Sequence, residues 1–431
     1  MDNKVMTVTS TSIAHNGAAR CDVGGMTVFV HGMLPGETAV VDTMRKHGVL
    51  LGDIKEFISI SPARKAPEEL HYLSCSPWQV IQYPTQAALK HEIITDLYGY
   101  YDDAPKPSFT PAEQYYGYRT KAEFSFTDRD GVGGDLPLAL AYHIRNAGKA
   151  RTALPSGCEL LSENMNSVAL ALCAKLRDLG LTAFELKALT VRESKSNKIC
   201  IATLYAKEKT IPEFSIDTIP NLAGIEVWYS THKSPAAVQT ELLWEKGIHT
   251  LTEDIDGIEL TYPSDGFFQN NIPVFKKAVE RMREFLPKDK TLLELYSGVG
   301  TIGLLLAKDA KSVHGVEINP SSVALAAANA AQNNISNYTA QCLPAEKINK
   351  ELIEDFEVLL LDPPRVGLHP KLINSIKAAA PETIIYLSCN PETQARDYAD
   401  MKDMYSIVHI EGFDFYPQTP HCESLLVLKK R

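Results

Sequence analysis

Thr291-Leu-Leu-Glu-Leu-Tyr-Ser-Gly-Val-Gly-Thr-Ile-Gly303 decides how the second half of the chain is read. Its first five residues form an apolar run expected to be a buried strand, and Tyr296–Gly303 is a glycine-rich turn entering a helix over 302–308. The spacing Gly298-x-Gly300-x-x-Gly303 is that of a loop whose backbone comes close to a cofactor, with Thr301 inside it. Downstream the pattern keeps alternating. A strand over 312–318 carries Glu317 near its end, and Asn319 then caps a helix with Pro320 at its first position. A strand over 358–361 ends in Asp362-Pro-Pro-Arg365, and a helix over 371–379 leads to a strand over 383–386. Upstream, 273–285 reads as an amphipathic helix. This alternation predicts an α/β, doubly wound, Rossmann-like sheet from about residue 266 to the end.

Two cofactor classes share the glycine-loop logic, the nicotinamide dinucleotides and S-adenosylmethionine. In either case an acid at the end of the second strand, here Glu317, can hold ribose hydroxyls. Glu294, inside the first strand, favours the methyl donor. The strand over 383–386 is stopped by Asn390-Pro391, so Cys389 stands at the carboxyl end of a strand, where open sheets of this kind place their ligands. A cysteine on such a turn is a candidate nucleophile; the alternative is a small buried hydrophobe.

The 431 residues allow two or three domains, and 45% hydrophobic with 22% charged residues is ordinary globular composition. No apolar run reaches the ~18–20 residues of a membrane span, and Met1-Asp-Asn-Lys4 opens no apolar leader. Eight scattered cysteines without a zinc-like double pair suit a reducing cytoplasm. A net charge of −10 disfavours nucleic-acid binding by the molecule as a whole. The densest basic run, Arg119, Lys121, His143, Arg145, Lys149 and Arg151, could locally grip phosphates or be a solvated strand face. Residues 6–58 alternate in short strand-like runs punctuated by glycine and Pro35-Gly36, which predicts a small antiparallel β-barrel. A linker at 61–67, a helix over 85–98 and a proline-rich break at 105–111 come next. The middle, 112–265, mixes strands with a helix near 162–179.

Taken together, SDGFFQNN (264–271), LLELYSGVGTIGLLLA, GVEINPSSVALAAANAAQNN, LDPPRVGL, YLSCNPETQARD and YPQTPHCESLLVL resemble the RNA uracil-5-methyltransferases, in that family's motif order. HNGAAR…VFVHGMLPGETAVV looks like the RNA-binding TRAM barrel of many members, and YYGYRTKAEFSF like the start of their central RNA-binding domain. The resemblance implies a TRAM-like barrel over 1–60, a central α+β RNA-binding domain over 61–265 (its linker region 61–111 included), and an S-adenosylmethionine-dependent methyltransferase domain over 266–431. It implies Cys389 as the nucleophile towards carbon 6 of uracil and Glu423 as the base for the carbon 5 proton. Gln269, Tyr296, Glu317 and Asp362 match cofactor-contacting positions, with Gly298, Gly300 and Thr301 in the loop. Arg365 and Arg396 could hold phosphates or brace a loop. Many members bind an iron–sulfur cluster through four cysteines. Here only Cys75 and Cys158 match, with Trp78, Glu68 and Glu69 in the region of the others, so no cluster and no metal is expected and both cysteines read as interior remnants. The implied partner is RNA, 23S ribosomal RNA first and the T-loop uridine of transfer RNA second, for a monomeric, cytoplasmic protein without membrane contact. Three competitors remain open. A cytosine-5-methyltransferase would carry a cysteine in the DPPRVG loop, a nicotinamide oxidoreductase would leave SCNP and HCE without a task, and a non-catalytic RNA-binding module would need neither Cys389 nor Glu423.

Overall fold

The computed structural model describes residues 4–431 apart from 15, 47, 102–103, 130–133, 145–149, 232 and 235–236. The alternating C-terminal pattern folds into one sheet. Its strands are β1 (Thr291–Leu295), β2 (Ser312–Glu317), β3 (Tyr338–Cys342), β4 (Val358–Leu361), β5 (Thr383–Ser388), β6 (Tyr405–Phe413) and β7 (Glu423–Lys430), in the order β3-β2-β1-β4-β5-β7-β6. β1 to β5 pair in parallel, and β7 lies antiparallel between β5 and β6. Every residue of β4 and of β5 is buried, as unbroken apolar runs covered on both faces should be. Side chains alternate between two cores. Leu292, Leu360, Ile385 and Val427 face helix Ile272–Phe285, whereas Leu293, Leu359, Ile384 and Leu426 face helix Pro370–Ala379 and its neighbours. The expected cap holds: the Asn319 side chain accepts from Ser321 N–H and Ser322 N–H.

The proline-rich break at 105–111 contains an eighth strand. Ser108–Thr110 pairs in parallel with Glu411–Phe413 of β6 and seats Phe109 against Gly412. Three residues among prolines carry no periodicity of their own; a partner 300 positions away makes them a strand. Helix Tyr83–Tyr98 also rests on this sheet. Its Lys90 Nζ donates to Asp414 Oδ1 (2.6 Å) and to the Tyr416 carbonyl (3.0 Å), while Tyr98 Oη donates to Gln394 Oε1 (2.7 Å).

The N-terminal strands form a six-stranded sheet around Val8, Cys21, Val28, Val30, Ala39 and Val41. It is not wholly antiparallel as expected, because Val28–Val30 pairs in parallel with Leu50–Gly52 of the long strand Val49–Ser59. Glu37, fully buried, ties this sheet to the linker beyond it by accepting from Leu34 N–H, Ser61 N–H and Arg64. The middle of the chain is a seven-stranded sheet running from Arg151–Ala153 at one edge to Glu241–Gly247 at the other. Helix Glu163–Asp178, capped by Ser162, buries Met165, Val168, Leu172 and Leu176 in the core it shares with this sheet. Hairpin Thr250–Ile255/Ile258–Pro263 joins it to the C-terminal core through Leu251, Leu260 and Tyr262. Among the described residues no helix is long and apolar enough to cross a membrane.

Candidate active site

Register brings the two reactive side chains together. β5 and β7 are antiparallel and pair Ser388 with Ser424, so the next positions, Cys389 and Glu423, face each other across adjacent strand ends. Glu423 also pairs with Phe413 of β6. Gln394, on helix Pro391–Ala399, locks this register from beneath: its Nε2 donates to the carbonyls of Tyr386 (2.7 Å) and Ser424 (3.1 Å). The loop after β4 is laced to the loop after β5, since Asn390 Nδ2 donates to the Arg365 carbonyl (2.9 Å). Asp397 Oδ2 accepts from Leu368 N–H and Tyr386 Oη, both at 2.8 Å. Arg396 donates to Asp397 Oδ1 (2.6 Å) and the Val366 carbonyl (2.9 Å), so of its two expected tasks it performs the bracing one. Arg365 is turned to the Cys389 thiol instead.

Cys389 opens into a cavity of about 160 Å³ lined also by Arg365, Asn390, Pro420, His421 and, from the N-terminal sheet, Asn16. A loop of the N-terminal sheet reaches this rim through Gly17, at φ +79°, where an added Cβ would lie 2.4 Å from Pro420. Burial, with the nearby Glu423 and Asp362 carboxyls, pushes the Cys389 thiol up to about 12, and Arg365 acts the other way. Glu423 is 4% exposed and pushed up to about 8 by desolvation and by Asp362. Its Oε1 accepts from Tyr416 Oη at 3.0 Å, and its Oε2 is buried with no partner. A buried carboxyl oxygen without a partner beside a thiol can accept a proton once the group has ionised. Tyr416 was named in the sequence only as part of a motif; its role emerges from the turn that folds it back over Glu423.

The second cluster lies at the ends of β1, β2 and β4. Tyr296 (φ +63°) and Gly298 (φ +55°) turn the chain out of β1, and the space beyond Gly298 is open. Glu317 Oε2 accepts from Gly298 N–H (3.0 Å) and Oε1 from Asn319 N–H (2.9 Å), leaving each oxygen a further acceptor direction. Asp362 is hydrogen-bonded by Gln269 and pushed up to about 7 by desolvation. Gln269 is itself held through its carbonyl by Thr120 Oγ1 (2.9 Å). Glu294 does not point outward. It is 2% exposed, accepts from Gly303 N–H (2.9 Å), and is pushed up to about 8 by burial. Gly303 is required there, because a Cβ would stand 2.3 Å from Glu294 Oε2. Thr301, buried, starts the helix. A glycine turn with open space beyond Gly298, an acid for a diol and a second acid at the β4 end fit S-adenosylmethionine.

The basic run is a different matter. Arg119 does not lie on a solvent face: its Nε is buried without a partner and its guanidinium packs beside Tyr118, Tyr142 and Cys158. Arg151 donates to the Phe126 carbonyl (2.8 Å) and His143 meets Ser125 Oγ (3.0 Å). Lys121 is half-buried, and burial together with Arg192 lowers its pKa. Arg145 and Lys149 lie outside the described residues. Alternation placed these charges on strands, but neighbouring strands turn the inner ones away from water. Cys75 and Cys158 are electrostatic neighbours, and Trp78 is buried. Two thiols and an indole do not fit a cubane cluster, which takes four thiolates.

Residues 82–431 match the model of the tRNA (uracil-5-)-methyltransferases. The chain belongs to this family. It is thus an S-adenosylmethionine-dependent RNA methyltransferase by descent. An uncharacterized RNA methyltransferase of Lactiplantibacillus plantarum is 30% identical over 433 residues, 94% of this chain and 88% of that one. Another, from Nanoarchaeum equitans, is 29% identical over 94% of this chain and 90% of its own. In fold the protein is similar to Pyrococcus abyssi tRNA (uracil-54, C5)-methyltransferase, solved with S-adenosyl-L-homocysteine. That likeness has a TM-score of 0.81 at 22% identity, over 98% of this chain and 100% of that chain.

Proposed function

We propose that the protein methylates carbon 5 of a uridine in structured RNA, with Cys389 as nucleophile and Glu423 as base. The observation that carries this reading is the facing pair at the ends of β5 and β7, a thiol beside a buried carboxylate with one free oxygen. Carbon 5 of uracil is a weak nucleophile. Addition of the Cys389 sulfur to carbon 6 moves electron density to carbon 5 as an enolate, and Arg365 favours the thiolate that begins it. S-adenosylmethionine, when bound, supplies the methyl group that carbon 5 takes. Glu423 Oε2 then accepts the carbon 5 proton, the electron pair reforms the 5,6 double bond, and the carbon–sulfur bond breaks. Tyr416 Oη fixes Glu423 Oε1, which leaves Oε2 as the oxygen without a partner. Gln269, Tyr296, Gly298, Gly300, Thr301, Glu317 and Asp362 would hold the cofactor, and their place beside the Cys389 loop puts the donor and the acceptor base on one sheet edge.

A base reached by a thiol in so small a cavity must leave its stack, which makes a loop uridine the fitting target. We assign the six-stranded N-terminal sheet as the TRAM-like unit and the middle of the chain as the further RNA-binding unit. The ribosomal reading of the acceptor rests on that barrel. A match covering 98% of this chain to an enzyme named for a transfer RNA uridine extends over the barrel as well, and so favours transfer RNA as the second reading. The deciding experiment supplies tritiated S-adenosylmethionine with unmodified ribosomal and transfer RNA in parallel. Labelled 5-methyluridine, lost in Cys389→Ala, supports the reaction and its pool identifies the acceptor. Labelled 5-methylcytidine, or label that survives the substitution, overturns it.

A further inference from the structure

Outside this site, two thiols, an imidazole and a carboxylate converge between the segment at 69–75 and the loop at 157–158. Cys75 Sγ lies 3.4 Å from His71 Nδ1 and 3.8 Å from Glu69 Oε2, and the Cys158 thiol is its electrostatic neighbour. The ligand atoms of Glu69, His71 and Cys75 all fall within 4.8 Å of one another. A tetrahedral ion with bonds of about 2.3 Å to sulfur and about 2.1 Å to nitrogen or oxygen spaces such ligand pairs about 3.6 Å apart. The observed separations bracket that edge. We propose that Glu69, His71 and Cys75 hold a mononuclear zinc-class divalent cation, with the neighbouring Cys158 thiol completing the donor set when the ion binds.

The surroundings are built for it. His71 Nε2 lies 3.1 Å from the Gly157 carbonyl and 3.2 Å from Glu69 Oε1, two acceptors that hold the ring proton on Nε2, so that Nδ1 is the nitrogen turned to Cys75. Glu69 is oriented in advance, with Oε1 held by Glu159 N–H (2.7 Å) and Oε2 by Gln79 Nε2 (2.6 Å). The side chains of His71 and Glu69 are 10% and 8% exposed, so the donors are shielded from water as in structural sites. A divalent ion with two thiolates and a carboxylate carries one net negative charge, and the inward guanidinium of Arg119 beside Cys158 offsets it. This also accounts for Arg119 being buried. The mixed donor set excludes a cubane cluster while suiting a single borderline-soft ion. Such an ion would bind folded chain only, pinning two segments 86 residues apart. The proposal is independent of the methyl-transfer reading.

Full-length protein purified anaerobically without chelator would be analysed for metals, stripped, and titrated with Co²⁺. The expected result is about one zinc-class ion per chain and, with cobalt, tetrahedral d–d bands plus thiolate-to-cobalt charge transfer. Cys75→Ser and Cys158→Ser lose the charge-transfer signal, His71→Gln shifts the d–d bands, and Cys342→Ser, at an exposed cysteine, keeps both. Should the serine variants fail to fold, the wild type decides alone, since zinc must raise its melting temperature and cobalt must give thiolate charge transfer. Absence of that band in wild type, its survival in both serine variants, about four irons with acid-labile sulfide, or a Cys75–Cys158 disulfide in the anaerobic protein overturns the proposal.

Discussion

Cys389 and Glu423 rest as a thiol and a carboxylic acid at neutral pH, because both are held out of water and near the Asp362 carboxyl. Turnover at limiting RNA is therefore expected to rise with pH as Glu423 loses its proton near 8; a pH–rate profile flat from 6 to 9 would contradict the assignment of Glu423 as base. Glu423→Gln should keep methyl transfer to carbon 5 but lose the proton acceptor. A methylated protein–RNA adduct then accumulates, visible as a denaturation-resistant gel shift carrying the methyl label, and turnover falls about 10²–10⁴-fold. Cys389→Ala gives neither product nor adduct. The same buried acids make stability depend on pH. Glu423 and Glu294 stand at about 8 and Asp362 at about 7, all above their ordinary values of 4.5 and 3.8. The folded state thus binds more protons than the unfolded one between those limits. Their contribution is fully present below about pH 4 and is lost as pH rises to about 8, at up to roughly 1.4 kcal/mol per pH unit for each group. The cofactor-free melting temperature should fall from pH 5 to 9, and Glu294→Gln should flatten that fall.

Two elements hold these side chains to their geometry. The glycine turn after β1 closes over Glu294, and Gly303→Ala would place a methyl 2.3 Å from its Oε2. We expect a loss of about 1–3 kcal/mol in folding stability and a weaker S-adenosylmethionine affinity, read together by thermal melts with and without cofactor. Helix Tyr83–Tyr98 reaches the turn after β6 through Lys90, whose ion pair with Asp414 is fully buried on both sides. Lys90→Met removes the cation from Asp414 and leaves it only the Tyr83 hydroxyl (2.9 Å), which costs about 3–5 kcal/mol in chemical denaturation. It also frees the Tyr416 carbonyl, so kcat should drop beyond what lost fold accounts for. How far these elements could be read from sequence depends on where their information sits. β1, β4 and β5 are apolar runs closed by glycine, proline or asparagine, so local pattern was enough to place them. Ser108–Thr110 and the parallel pair at Val28–Val30 depend on distant partners, and no local pattern marks them. The Cys389–Glu423 pairing was legible as motifs, but its cause, an antiparallel strand inserted beside β5, was not. Arg119 misled because strand alternation assigns faces without knowing what covers each face.

The three larger sheets are bound into one molecule by contacts that converge on the last strand turn. The Gly17 loop sits on Pro420, Trp78 N–H donates to the Gln418 carbonyl (3.0 Å), and Tyr118 Oη donates to the Pro417 carbonyl (3.1 Å). N-terminal, linker and central segments therefore all touch the turn that leads into Glu423. Gly17→Val should push the N-terminal sheet off this turn. The expected result is a KM for RNA raised several-fold with the S-adenosylmethionine dissociation constant unchanged; equal loss of both would assign the contact to folding alone. The path of the chain through the C-terminal sheet has a separate consequence. It enters that sheet at Ser108–Thr110, leaves for the whole seven-stranded middle, and returns at helix Ile272–Phe285, where Ala112 and Phe275 share one core. The middle is thus an excursion whose departure and return are fastened to the same body. Lineages could enlarge, trim or replace such a detour while the chemistry at the β5 and β7 ends stayed as it was, so the target of the enzyme and its reaction are free to evolve at different speeds.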